Sequence, residues 1–177
     1  FPYRNEWDNV VFIIDVSGSM YTRDNNKKID KIPINVGLSL GLLTQDKMYN
    51  LSEHPEKVEL KRETLLKYIQ KVVHMNYSND VDLDKMIANL KIKKNQKLFI
   101  VTDQNLTVNT HPFDITIWNV SDPFIKVKKI KDVLYLNGFS KCIYNHVLQN
   151  PFFDPSEIID NIVNDVKYKK ILEKIKV

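Results

Sequence analysis

Asp15, Ser17 and Ser19 stand at alternate positions in the stretch V-V-F-I-I-D-V-S-G-S-M, residues 10–20. One carboxylate and two hydroxyls at that spacing converge on a point if the chain turns between them, and Gly18 permits the turn. An all-oxygen set of low charge suits a hard divalent cation, Mg2+ first and Mn2+ or Ca2+ after it, with water or an incoming ligand completing the shell. A plainer reading of the same residues is a Ser-Gly-Ser turn in which Asp15 caps the helix that follows. A second acid, Asp103, closes the stretch K-L-F-I-V-T-D. If the two stretches form neighbouring parallel strands, Asp15 and Asp103 meet on one rim.

The elements that must position these groups show in the apolar runs around them. Residues 10–16 are mostly β-branched and run without a break into Asp15, which suits a strand buried on both faces and disfavours helix. The carboxyl end of such a strand is where open α/β sheets place their ligands. Residues 97–102 repeat the pattern, and shorter strands are expected at 48–51, 57–60, 114–119 and 132–136. Pro33 opens a helix over 34–45, apolar almost all round and therefore buried, with Gly37 and Gly41 offering a smooth stripe against the sheet. Further helices are expected at 62–74, 82–90 and 140–149, and a last one from Asp154 or Ser156 to about 166. Alternation of strands and helices predicts an α/β fold: a Rossmann-like, open, mostly parallel central sheet with helices on both faces, in one domain over 1–177. Trp7 is expected at the edge of the domain and Cys142 in its core, as an inert thiol.

Composition narrows the function classes. The chain has 177 residues, 43% hydrophobic and 27% charged, enough for a real core. No apolar run is long enough to span a membrane. The abrupt opening at Phe1-Pro2-Tyr3 suggests a piece of a longer protein. A single cysteine excludes an internal disulfide and fits an intracellular home. The net charge of +4 is mild, and the lysines within 91–97, 126–131 and 167–176 read as solvated faces and helix ends. The alternative, a basic nucleic-acid surface, lacks the interleaved aromatics of an RNA-recognition strand. No phosphate-binding glycine loop is present, and His54, His74, His111 and His146 lack zinc spacing and read as surface or capping residues. No serine-hydrolase elbow surrounds Ser17 or Ser19.

The D-V-S-G-S-M string behind its apolar strand resembles the first motif of von Willebrand factor A (vWA) domains. Their metal-ion-dependent adhesion site has the form Asp-x-Ser-x-Ser, a distant Thr and a distant Asp. I-N-V-G-L-S-L-G-L-L, V-T-D-Q, the I-W-N strand and L-N-G-F-S extend the resemblance over nearly the whole chain, though less specifically. The overall set is similar to vWA-containing proteins of plants, protists and large DNA viruses, a group related to the vWA half of Ro/TROVE RNA-binding proteins. For a viral member, the home is the virion or the host cytoplasm. The resemblance implies that Asp15, Ser17 and Ser19 hold a metal ion and that Asp103 orients water beside it. One position departs from the pattern. The Thr should open the helix before Asp103, yet the matching string is Val81-Asp82-Leu83, and valine has no oxygen to give. Ser78, Asp80 or Asp82 of the same loop are the available substitutes, and weakened metal binding is expected.

Two functions of different class follow. The first is a non-catalytic vWA-type adhesion module, binding a protein partner's acidic side chain through the metal at the top rim. By the same resemblance it sits within a ribonucleoprotein while contacting RNA only weakly itself. The second is a metal-dependent phosphotransferase or hydrolase with Asp15 as nucleophile. Haloacid-dehalogenase-type chemistry wants a second Asp two residues further on, where this chain has Ser17.

Overall fold

The computed structural model describes residues 5–21, 33–59, 64–78, 80–109, 111–121, 130–154 and 156. Six strands form one sheet: β1 (Val10–Ile14), β2 (Lys47–Asn50), β3 (Lys57–Glu59), β4 (Lys97–Thr102), β5 (Ile115–Asn119) and β6 (Val133–Asn137), in the order β3-β2-β1-β4-β5-β6. All neighbours are parallel except β3, which runs antiparallel to β2. β1 and β4 are paired over their full shared length, from Val10 opposite Lys97 to Ile14 opposite Val101. Every residue of β1 is buried, as its unbroken apolar run demands.

Side-chain alternation divides the core into two layers. Val10, Phe12 and Ile14 face one layer, with Phe99 and Val101 from β4, under helices α1 (Pro33–Thr44), α2 (Leu65–Val73) and α4 (Lys141–Gln149). Val11 and Ile13 face the other, with Leu98 and Ile100, under α3 (Leu83–Leu90) and the segment carrying Leu106 and Val108. Helices therefore cover both faces, as the sequence predicts.

α1 lies against the centre of the sheet because its glycines allow it. A Cβ on Gly37 would stand 2.9 Å from Ile14 Cδ1, and one on Gly41 would stand 2.0 Å from Met48 Sδ. This close approach puts α1 directly behind the end of β1.

Several expectations need correction. β1 and the first helix end short of residues 16 and 45, β2 and β6 are displaced by one residue, β5 is one residue shorter, and β3 covers Lys57–Glu59, its last expected residue, 60, lying outside the described residues. Trp7 lies in the core, not at the edge: its ring packs against Phe12 and Phe99, and its Nε1 donates to the Leu148 carbonyl at 3.0 Å. Cys142 is exposed on α4 and not a core thiol. His146 is half-buried, edge-on to the Phe153 ring, where a surface residue was expected. Lys91, Lys93, Lys94 and Lys97 are exposed, as expected. The expected helix beyond 156, the loop over 22–32 and the lysines at 126–129 and 167–176 lie outside the described residues. No helix among the described residues is long and apolar enough to cross a membrane.

Candidate functional site

β1 has β2 on one side and β4 on the other, and the chain winds away from it in both directions. Strand order reverses at that point, leaving a crevice beyond the carboxyl ends of β1 and β4. Asp15 and Asp103 are the residues that follow those two strand ends.

Asp15 is fully buried. Its N–H donates to the Val101 carbonyl at 2.9 Å, prolonging the ladder by one bond. Its Oδ1 accepts from the Ser17 N–H at 2.8 Å and its Oδ2 from the Thr102 hydroxyl at 2.7 Å. Both partners are neutral, and among the described residues no cation lies in ion-pair range of this carboxylate. The chain then tightens into a 3-10 turn over Gly18–Tyr21, closed by the Met20 N–H on the Ser17 carbonyl at 3.1 Å. Met20 is wholly buried and anchors the turn in the core. Gly18 and Ser19 are thereby left on the outside, with Ser17 beneath them and only 3% exposed.

The hydroxyls of Ser17 and Ser19 lie 3.1 Å apart. Neighbouring oxygens around an octahedral Mg2+ stand about 3.0 Å apart for bonds near 2.1 Å, against about 3.4 Å for Ca2+ bonds near 2.4 Å. The pair thus fits one edge of a Mg2+ or Mn2+ shell. Asp103 completes the group: Ser19 hydrogen-bonds its carboxylate, while its Oδ1 is buried with no partner among the described residues. Burial, reinforced by the Asp15 charge and opposed by the Ser19 bond, holds Asp103 above the usual carboxylate range. Burial and the same Asp15 charge raise the Tyr21 phenol. Two carboxylates that feel each other's charge, an unmet buried oxygen and a pair of hydroxyls make a donor set that suits a small hard cation.

The structure brings Asp15, Ser17, Ser19 and Asp103 together and sorts the remaining loop residues. Val81 is buried and lines a cleft of about 610 Å³ shared with Ser19, Asp80, Asp82 and Gln104. It occupies the flank of the rim without offering an oxygen. Asp80, at φ 55°, borders the same cleft from a left-handed turn. Asp82 caps α3, accepting from the Lys85 N–H at 3.1 Å, and that bond foremost holds its carboxyl below the usual range. Ser78 places its hydroxyl 3.3 Å from that of Ser52, just past the carboxyl end of β2.

Thr102 is the residue that sequence reasoning missed. It is fully buried, donates to Asp15, and accepts from the Gln104 N–H at 2.9 Å, tying both strand ends together. Its signal was the hydroxyl immediately before Asp103, hidden because a β-branched residue is ordinary filler in a strand.

Fold and rim define an open, mostly parallel α/β domain with carboxylates and hydroxyls gathered at its switch point. The chain is similar in fold to the Deinococcus radiodurans RO (RSR) protein, whose crystal structure matches with a TM-score of 0.57 at 16% identity, covering 82% of this chain and 34% of that one. The chain therefore matches only about a third of that protein's length. No family model and no curated protein matches the sequence.

Proposed function

We propose that this domain is a non-catalytic binding module of the vWA type, whose rim holds Mg2+ or Mn2+, or more loosely Ca2+, and takes an acidic side chain of a protein partner. Ser17 and Ser19 supply neutral oxygens to the ion, and Asp15 and Asp103 supply the charge that holds it and orient water around it. The observation that carries the reading is the buried, unpartnered Oδ1 of Asp103 beside the hydroxyl pair and a second carboxylate. A bound cation would supply the positive charge that the described residues do not place there. The Asp15 nucleophile reading is disfavoured by its complete burial and by bonds to both of its oxygens, since a nucleophile must reach its substrate.

With Val81 at the flank, the ion is held weakly until a ligand carboxylate arrives. The resemblance to the Ro/TROVE group supports placing the parent protein in a ribonucleoprotein, with this domain as its protein-binding part. Calorimetric titration with Mg2+ and Mn2+ tests the site. Wild type should take up one ion, and Asp15→Ala should abolish uptake. Uptake that survives Asp15→Ala places the ion elsewhere, and phosphate-ester turnover lost in Asp15→Asn would favour the enzyme. Filter binding should show only weak, salt-sensitive retention of RNA, whereas tight sequence-selective retention would overturn the protein-partner reading.

A further inference from the structure

Asn119 ends β5 and is the least strand-like residue in it, yet it is only 3% exposed. A buried amide is costly unless it is hydrogen-bonded, so its bonds show what it is there for. Its Oδ1 accepts from the Ser121 N–H at 3.1 Å and from the Ser121 hydroxyl at 3.0 Å. A backbone N–H only donates, which fixes the amide oxygen on that side and turns the nitrogen the other way. There Nδ2 donates to the Gln104 carbonyl at 3.2 Å. An aspartate would serve Ser121 as well, but it has no hydrogen to give that carbonyl.

Gln104 follows Asp103 directly. Its N–H is held by the Thr102 hydroxyl at 2.9 Å, and the Thr102 carbonyl accepts from the Val120 N–H at 2.9 Å. The two peptide planes that flank the Cα of Asp103 are therefore both bonded, one to the residue after β5 and one to Thr102. Those planes set the backbone dihedrals of Asp103 and so the direction of its carboxylate. Gln104 is half-exposed and Asn105 beyond it exposed, so the next core anchor along the chain is Leu106. We propose that Asn119 is a positioning residue of the rim: its amide holds Gln104 against the end of β5 and thereby aims the Asp103 carboxylate at Ser19 and the cation. The consequence for the cation rests on the metal reading above, whereas the hold on Gln104 does not.

Asn119→Ser tests this, because serine keeps an acceptor for Ser121 and is one bond shorter than the amide that reaches Gln104. In the full chain with EDTA present, hydrogen exchange read by NMR should show the Gln104 N–H exchanging at least tenfold faster, while the amides of β1 keep their protection. Unchanged exchange at Gln104 overturns the proposal. So does a matching loss of protection in β1, which would make Asn119 a residue of general stability. Calorimetry supplies the second arm. Mg2+ affinity should fall roughly fivefold in Asn119→Ser, but by less than about twofold when the same change is made in an Asp103→Asn background, because both act through one carboxylate. Equal losses in the two backgrounds overturn the positioning role. A wild type that takes up no Mg2+ refutes the metal reading, and the exchange arm then decides alone whether Asn119 holds the turn.

Discussion

Replacing Thr102 by valine keeps the shape of the side chain and deletes one hydroxyl. In the native domain that hydroxyl donates to the buried Asp15 carboxylate at 2.7 Å and accepts from the Gln104 N–H at 2.9 Å. A hydrogen bond to a charged group contributes about 1.5–3 kcal/mol net, and its loss leaves Asp15 Oδ2 buried and unmatched. The added methyl returns less than about 0.8 kcal/mol of apolar burial. Gln104 is half-exposed, so water can replace its lost acceptor at small cost. The expected net destabilisation is about 2 kcal/mol, or roughly 4–8 °C in Tm for a domain of this size. Urea denaturation at neutral pH, with and without saturating Mg2+, is the assay. Because a cation at the rim would satisfy the same carboxylate, Mg2+ should shrink the deficit. A double-mutant cycle with Asp15→Asn isolates the bond. A loss below about 0.5 kcal/mol, or a coupling energy near zero, would refute the claim that Thr102 holds Asp15 through a charge-assisted bond.

Three further outcomes are expected. Gly41→Ala should destabilise the domain by about 1–3 kcal/mol, more than Gly37→Ala, because its Cβ meets the sulfur of the wholly buried Met48 at 2.0 Å while that of Gly37 meets the ends of Ile14; thermal melts of the two variants give the ranking, and a milder Gly41→Ala contradicts the packing. The raised Asp103 carboxyl means that the folded domain holds this proton above pH 3.8, the ordinary value, so stability arising from it is present below that pH and declines as pH rises through the folded value. Cation binding favours the ionised form, so apparent Mg2+ affinity should fall as pH is lowered through that same window, and an Asp103→Asn variant should lose this dependence in calorimetry. Val81→Thr adds a hydroxyl to the cleft that Ser19 also lines and should raise Mg2+ affinity several-fold; unchanged affinity, together with its loss in Ser78→Ala, would assign the missing ligand to Ser78.

The central strands were legible because continuous β-branched runs have few alternatives, and so was their parallel adjacency; their register was not, since Ile14 pairs with Val101 and Asp15 therefore falls opposite Thr102, one residue before Asp103. What the chain did not disclose depends on directions that local pattern leaves open. Trp7 precedes the first strand in polar company, yet the ring turns inward onto Phe12 and Phe99. Cys142 sits among apolar neighbours, but Val147 and Leu148 define the inner face of α4 and the cysteine falls away from them. Asp82 and Ser78 were equal candidates by position; a helix start claims the first and Ser52 the second. Thr102 faces Asp15 only because Ile14 pairs with Val101, a register no single strand reveals.

The pairing of β1 with β4 also sets a schedule for the nascent chain. β1, all of it buried in the finished domain, is made first, and its partner β4 begins only at Lys97. At roughly 5–20 residues per second, the ribosome needs on the order of ten seconds to deliver that partner. Through that interval the most hydrophobic strand of the domain has one edge unpaired, and Asp15 waits for the threonine that lies 87 positions downstream. Ribosome-arrested chains stopped before Lys97 should be cut readily by protease near β1, and chains carried past the end of β4 should resist.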